Sequence, residues 1–223
     1  MSRALTKEAK REKSEFIINQ AFVLFNNKTF REFKMDDLAK RCNFSKGIIF
    51  RYFRSKEVLF LSMLVREYNA KLQKVLDALI DLPDHSIPLK EIKTYLLKMM
   101  RDDLYNNTYY IRLLTIKCSI LEQNLDYNFA RDYETVIHDN YNIVLNLFAR
   151  KIEFIGQEIL RDVFTVMDSI VEGYLSKILR SDVINEVVEN ENLYQFQIDY
   201  RKHALNTYDY YLTTFIAANQ QRY

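Results

Sequence analysis

A short segment of mixed basic and aromatic residues, SKGIIFRYFRSK, holds the side chains of this chain that are best suited to bind a charged partner. Its donors are cationic and hydroxyl groups: Ser45, Lys46, Arg51, Tyr52 and Lys56. Groups of these types hydrogen-bond to phosphate oxygens and to base edges. Gly47 lies among them and has no side chain, so the backbone there can approach a partner closely. The chemistry indicated is polyanion binding.

Two short helices joined by a tight turn must position these donors. The first is predicted over Asp36 to Cys42, where apolar residues recur at spacings of three and four. Asn43 follows, and Asn tolerates the left-handed backbone that such a turn needs. Ser45 is predicted to cap a second helix, Lys46 to Tyr52, and Ser55 to cap a long third helix. This arrangement places its second helix in a DNA major groove.

The same stretch resembles the N-terminal domain of the TetR family of transcriptional repressors over about residues 15 to 60. The residues that carry the resemblance are Leu24, Phe25, Phe30, Asp37, Leu38, Ala39, Ser45, Lys46, Gly47, Phe50, Phe53, Ser55 and Lys56. The resemblance implies an all-α protein with a small helix-turn-helix head that binds double-stranded DNA. It also implies a larger helical body that binds a small-molecule effector and forms a homodimer.

At three positions the chain departs from the family pattern. Lys34 stands where the family has a capping Thr, Ile48 where it has a small hydroxyl residue, and Phe50 where it has a Tyr. An apolar Ile48 can contact a thymine methyl, while Phe50 lacks the hydroxyl that would bind a phosphate. The predicted DNA-binding residues are Lys34, Ser45, Lys46, Gly47, Ile48, Phe50, Arg51, Tyr52 and Lys56.

Composition and charge agree with this organisation. The 223 residues include only three Gly and two Pro, which is too few for an all-β chain built on tight turns. Residues 1–60 hold 14 Lys and Arg against 7 Asp and Glu, while residues 61–223 hold 18 against 23. A basic head on an acidic body favours a head that binds a polyanion.

Several other classes of protein are not supported by the sequence. His85, His138 and His203 lie far apart and lack the spacing of metal ligands, so we expect no metal site and no cofactor. The chain has no phosphate-binding glycine loop and no arrangement of nucleophile and base, so an enzyme is not expected. Two cysteines without a disulfide framework, no apolar run of membrane length and a charged N-terminus predict a cytoplasmic protein with no membrane partner.

Two domains are predicted, a DNA-binding domain at residues 1–56 and an effector-binding and dimerisation domain at residues 57–223. A helix from Lys56 to about Asp81 carries a continuous apolar stripe and is a candidate lever between them. A break at 82–87 contains Pro83. Two long helices finish the chain, and an acidic segment, Ser181 to Asn192, is predicted to link them. The last helix is expected to run from about Leu193 to Asn219.

Aromatic and methionine side chains of the central helices are candidates for an effector pocket, because Met adapts to ligand shape and Tyr offers a hydroxyl. The predicted pocket residues are Met99, Met100, Tyr105, Tyr109, Tyr110, Leu114, Cys118, Tyr141 and Phe164. The last two long helices are apolar on more than one face, which predicts burial on two sides. Their predicted homodimer contacts are Val163, Met167, Ile170, Tyr174, Tyr208, Tyr211, Leu212 and Phe215. In both sets the alternative is plain core packing within one chain.

The sequence therefore predicts a dimeric transcriptional regulator of the repressor type, which binds a pseudo-palindromic operator and is released by a small-molecule effector. The alternative is a helical protein-interaction module that has lost specific DNA binding, as Ile48 and Phe50 would allow. Salt separates the two hypotheses, because DNA binding through phosphates weakens steeply as salt rises, and an apolar protein contact does not.

Overall fold

The structure is a computed structural model that describes residues 7–153, 155–178, 181–197 and 199–220. It contains ten α-helices in these residues: α1 (Lys7–Phe25), α2 (Met35–Cys42), α3 (Lys46–Tyr52), α4 (Lys56–Leu79), α5 (Ile92–Arg101), α6 (Thr108–Ile116), α7 (Tyr127–Lys151), α8 (Gln157–Ile178), α9 (Asp182–Asn190) and α10 (Tyr200–Gln220). Single π turns follow α5 and α6, over Asp102–Asn106 and Lys117–Leu121. The described residues form no β-strand, and the all-α prediction is confirmed.

Helices α2 and α3 form as their capping residues predict. Asn43 ends α2 in the left-handed region, with φ 55° and ψ 40°. The Ser45 hydroxyl accepts from the backbone N–H of Ile48 at 3.4 Å, and that of Ser55 accepts from Val58 N–H at 3.2 Å. Lys34 occupies the N-cap of α2 and makes no side-chain cap, as its residue type predicts.

The core of the head is built around the ring of Phe60, which comes from the second turn of α4. Phe25, Phe30 and Phe33 each meet this ring edge-on, with centroids 4.9 Å away. Edge-to-face pairs add to the free energy of burying the rings themselves. The start of α4 is therefore part of the head, although its remaining turns lie in the body.

In the body, α4 packs against α7, and α8 packs against α10. Helix α6 packs against α4 and α8, and α5 packs against α10. The predicted break at 82–87 is present, and its loop is tied to the end of α7. The buried ammonium of Lys151 donates to the carbonyl of Leu82 and to the carboxylate of Asp84. Ile87 N–H donates to the Lys151 carbonyl at 3.0 Å. No helix in the described ranges is long and apolar enough to cross a membrane.

Two elements differ from their predictions. The acidic segment 181–192 is not a plain linker, because it forms α9, with the Ser181 hydroxyl accepting from Ile184 N–H at 3.3 Å. Its composition suggested a linker, yet Val183, Ile184, Val187 and Val188 recur at helical spacing. The last helix also begins later than predicted, at Tyr200, where Asp199 caps it through Lys202 N–H at 3.0 Å.

Candidate DNA-binding surface and ligand pocket

Helix α3 presents its polar side to solvent and its apolar side to the head. Ile49 is fully buried and Phe53 is buried, so neither can contact a partner. On the outer side, Ile48 and Tyr52 are half-buried. The remaining predicted contacts of α3 and its cap are exposed: Ser45, Lys46, Gly47, Phe50 and Arg51. The predicted DNA-binding residues of α3 thus lie together on one accessible surface.

Lys46 is held in place by residues of both short helices. Its ammonium lies 2.7 Å from the carboxylate of Asp36 on α2 and 5.9 Å from the centroid of the Phe50 ring. The ion pair is exposed on both sides, and such pairs are worth about 0–1 kcal/mol. A phosphate can therefore replace Asp36 at small cost. Lys34 is exposed at the beginning of α2, at the edge of the same surface.

Lys56 has a different environment from the other cations. Its ammonium turns toward the loop before α2, where it donates to the carbonyls of Phe30 at 2.8 Å and Phe33 at 3.3 Å. It also lies 4.0 Å from the Phe30 ring centroid, and desolvation lowers its pKa. The structure shows Lys56 as a tie between α4 and this loop. Its contact with a phosphate stays a prediction.

The start of α1 extends the basic surface beyond α3. A shallow groove there is bordered by α1 and by the end of α3: Lys7, Glu8, Lys10, Arg11, Ser14, Glu15 and Tyr52. All three cations of the groove are exposed. Since Tyr52 closes the groove, the basic residues of α1 adjoin the recognition surface and can meet the flanking backbone of the same duplex.

The body contains a cavity of about 80 Å³ between α4, α5, α6, α7 and α8, which we call the inner cavity. Its lining is largely apolar and aromatic, with three polar side chains: Tyr68, Lys71, Leu72, Val75, Met99, Tyr110, Ile137, Asn140, Tyr141, Val144, Phe164, Met167 and Asp168. A neighbouring space of about 490 Å³, the outer pocket, shares Lys71, Val75 and Met99 with it. The inner cavity has the form of a ligand site, with an apolar wall and few polar groups. The outer pocket combines apolar residues with charged ones, which include Lys74, Lys98 and Asp102.

The structure brings together four of the predicted pocket residues in the inner cavity, namely Met99, Tyr110, Tyr141 and Phe164. Met100 and Leu114 are buried in the core instead. Tyr105 is exposed with its ring 6.0 Å from the Arg201 guanidinium, and Cys118 is exposed on the second π turn. Tyr109 faces the head. Helical spacing could not separate the buried positions, because it does not show which neighbour buries an apolar residue.

The sequence did not predict the charged residues of the two spaces: Lys71 lines both, Asp168 lines the inner cavity and Asp103 lines the outer pocket. Lys71 and Asp103 form an ion pair at 2.5 Å, and both are largely removed from solvent. Burial raises the pKa of Asp103, while the carboxylates of Asp103 and Asp168 offset the desolvation of Lys71 and leave its pKa raised. The sequence contained one indication of a buried charge, because Lys71 lies between Tyr68 and Leu72 of the apolar stripe of α4.

Helix α6 touches both the cavity and the head. Tyr110 lines the cavity, while Tyr109 packs its ring 5.0 Å from that of Phe22 on α1. One turn later, the Arg112 guanidinium donates to three carbonyls at the end of α1: Phe25 at 2.8 Å, Asn26 at 3.2 Å and Lys28 at 2.6 Å. A cation suits the negative end of the α1 dipole. Through these contacts, α6 links the cavity to the end of α1 in the head.

The predicted dimer contacts divide into two groups. Val163, Met167, Tyr208 and Leu212 are buried within the chain's own core, so they have no surface left for a second copy. Helix α10 packs against α8 on one side and against α5 on another, which explains much of why it is apolar on more than one face. Half-exposed side chains remain on the outer faces of α8 and α10: Ile170, Tyr174, Tyr211 and Phe215.

Comparison with known proteins agrees with this organisation. Residues 17–63 match the family model for bacterial regulatory proteins, tetR family, and residues 70–217 match the tetracyclin repressor-like C-terminal domain. The uncharacterized HTH-type transcriptional regulator YuxN of Bacillus subtilis (strain 168) is 39% identical over 67 residues, which span 30% of this chain and 23% of that protein.

A solved structure shares the fold over most of its length. The transcriptional regulator FadR from Bacillus subtilis, in complex with stearoyl-CoA, superposes with a TM-score of 0.51 and 14% identity, covering 88% of this chain and 95% of that one. The C-terminal family match alone spans more than half of this chain. The protein therefore belongs to the TetR family of transcriptional regulators, with a helix-turn-helix DNA-binding domain and a ligand-binding-type C-terminal domain, and it is not an enzyme.

Proposed function

We propose that this protein is a cytoplasmic homodimeric repressor, which binds a pseudo-palindromic operator and leaves it when a small molecule occupies the body. The observation that carries the proposal is the set of exposed cations on α3 and the start of α1: Lys46 and Arg51 lie on α3, and Tyr52 borders the groove that holds Lys7, Lys10 and Arg11. Two such surfaces on a symmetric dimer would occupy half-sites in successive major grooves. The outer faces of α8 and α10 supply the proposed contact between copies.

The proposed route of release runs along α6. A ligand that displaces Tyr110 in the inner cavity moves the helix on which Arg112 and Tyr109 hold the end of α1. The head then turns relative to its copy in the dimer, and the two recognition helices no longer match the half-site spacing. The extent of release is set by the ligand's affinity for this conformation relative to the DNA-bound one.

The test is selection of genomic DNA fragments by the purified full-length protein at physiological salt. We expect enrichment of a two-fold-related motif, whose affinity falls linearly with the logarithm of the salt concentration. Lys46→Ala and Arg51→Ala should each weaken binding to that motif by about tenfold or more, corresponding to ~1–3 kcal/mol for a base contact. Lys90→Ala removes an exposed cation from the body and is the matched control.

Two results would reject the proposal. If no motif is recovered and the protein binds all DNA sequences equally weakly, there is no specific operator, and the protein-interaction module is favoured. A monomeric protein at concentrations that saturate the operator would remove the paired half-sites while leaving single-site binding intact.

A further inference from the structure

The outer pocket has a net positive charge. Its charged side chains are three lysines and two aspartates: Lys71, Lys74, Lys98, Asp102 and Asp103. Lys71 and Asp103 form an ion pair at 2.5 Å, so their charges offset each other. Lys98 and Asp102 lie one turn apart where α5 ends and form no ion pair, and the Asp102 carboxylate accepts instead from the Asn106 side-chain amide at 3.1 Å. Among the described residues Lys74 also has no ion-pair partner, so two lysines are left with one carboxylate.

These charges are concentrated at one end of the outer pocket. Helix α4 contributes Lys74 and, one turn later, Ala78. Helix α5 contributes Lys98 and, one turn earlier, the aromatic ring of Tyr95. The ion pair just described joins the lysine-bearing turn of α4 to the end of α5, so the two helices line the pocket in opposite directions. Their lysines therefore lie at the same end of the pocket, and the other end is largely apolar.

The exposure of the lining residues distinguishes a mouth from a floor. Lys74 and Lys98 are exposed, so their ammonium groups lie at the mouth. Val75, Leu79 and Phe148 are buried and form the floor. A ligand with an anionic head group and an apolar chain matches this arrangement, because its charge stays near water at the mouth while its chain leaves water along the floor.

We propose that the outer pocket binds an alkyl carboxylate, with its head group at Lys74 and Lys98 and its chain on Val75, Leu79 and Phe148. Each ammonium can donate a charge-assisted hydrogen bond to a carboxylate oxygen. The chain gains affinity from each methylene group that it removes from water. A cationic head group on the same chain is repelled by the two lysines, so the pocket discriminates by the sign of the charge.

The dimensions of the outer pocket fit a chain of intermediate length. Its volume of about 490 Å³ lies within the ~300–1,000 Å³ of small-molecule sites. Its lining residues on α4 extend from Lys71 to Leu79, which is ~12 Å along the helix axis. An extended chain of about ten carbons, with carbon–carbon bonds of ~1.5 Å, has a similar length.

The outer pocket also adjoins the inner cavity. Val75 and Met99 line both spaces, so a chain that packs on them bears on the wall of the cavity that contains Tyr110. The flexible side chain of Met99 can adapt to such a chain. As an effector the carboxylate rests on the proposed function, whereas its binding does not.

The test compares three probes of one chain length, decanoate, decanol and decylammonium, by calorimetric titration of the full-length protein at neutral pH and low salt without DNA. We expect decanoate to bind at least about fivefold more tightly than decanol, as expected for two exposed ion pairs, and decylammonium to bind most weakly. Raising the salt concentration should reduce the advantage of decanoate and leave decanol binding unchanged, because salt screens exposed charges.

Two variants locate the head group and the chain. The double variant Lys74→Met with Lys98→Met keeps two long side chains without their charges, and should remove the preference for decanoate while decanol still binds. The double variant Lys40→Met with Lys90→Met makes the same charge change at exposed positions outside the pocket, and should alter nothing. Ala78→Phe fills the apolar end from an exposed position of α4, and should weaken decanoate and decanol alike.

Each contrary outcome overturns the inference. These outcomes are equal binding of decanoate and decanol, tighter binding of decylammonium, an undiminished preference for decanoate in the variant without Lys74 and Lys98, unchanged binding by Ala78→Phe, and binding of none of the probes. Because DNA is absent, each of these results leaves the operator proposal standing, and a failed operator selection leaves carboxylate binding standing. Melting temperatures of all variants confirm that the chains compared are folded.

Discussion

The head and the body of this regulator differ in how far apart along the chain their functional residues lie. The recognition surface is assembled from α3, its cap and nearby helices of one contiguous segment. The inner cavity instead joins α4, α5, α6, α7 and α8, and Lys71 in its wall pairs with a residue 32 positions away. A local site is specified by caps and turns, whereas a dispersed site depends on how whole helices pack. The two should therefore respond differently to substitution.

The largest effect is expected from Phe60→Ala, which removes the ring at the centre of the head core. Phe60 is fully buried against three other rings, and loss of such a side chain costs about 3–5 kcal/mol. We expect the head to unfold first, seen as proteolysis within residues 7–60 while the body still melts cooperatively. If both regions melt together, the claim that head and body respond differently to substitution is wrong. Tyr210→Ala, at an exposed aromatic of α10, is the control.

The second effect concerns the connection between the two regions. Arg112→Ala removes charged hydrogen bonds to three carbonyls of the head, and should lower the free energy of unfolding by about 2 kcal/mol. Arg54→Ala is a matched control, since Arg54 also joins head to body through Asp126 at 3.3 Å but is highly exposed. Chemical unfolding measures both. Equal losses would show that burial does not distinguish the two contacts.

The third effect is stabilising and depends on pH. Folding raises the pKa of Asp168 from 3.8 to about 6, so between these values the folded state binds more protons than the unfolded state. Ionising Asp168 therefore costs stability as pH rises through this window. We expect Asp168→Asn to raise the melting temperature at about pH 8 and to have little effect at about pH 4. An increase of the same size at both values would contradict the assignment.

The smallest effect tests how local the head is. Lys34→Ser supplies the hydroxyl cap that α2 lacks, and should add about 0.5–1 kcal/mol to stability. Lys40→Ser removes a lysine from an exposed position in the last turn of α2 and serves as the control for charge. Thermal unfolding distinguishes the two variants. A destabilised Lys34→Ser protein would show that Lys34 is held by contacts outside the cap.

The sequence predicted the head almost residue by residue, because its determinants are short-range. Ser45 and Ser55 can each cap only the helix that follows them, and Asn43 permits the turn between α2 and α3. The sequence did not predict the intrachain contacts of Lys56. Its bonds to the carbonyls of Phe30 and Phe33 depend on how the intervening chain folds back, and its contact with a phosphate stays a prediction.

In the body, the sequence predicted where the helices lie better than it predicted which residues their side chains contact. Tyr109 and Tyr110 are adjacent and similar, yet one faces the head and the other the cavity. Val163 and Met167 belong to the chain's own core, although their spacing equally suited a contact between copies. Helical periodicity shows that a residue is buried, whereas the partner that buries it depends on the arrangement of helices.

The π turn that follows α6 has a consequence for how this short helix can move. A π turn holds one residue more than an α turn, so moving the wide turn by one position exchanges backbone hydrogen bonds while keeping their number. Such a step would rotate the adjoining helical residues by about 100°. We predict rapid amide exchange at Lys117–Leu121 relative to the middle of α6, and slower exchange when the cavity is filled. Helix α6 would then move between discrete positions, one residue step at a time, and intermediate tilts would be disfavoured.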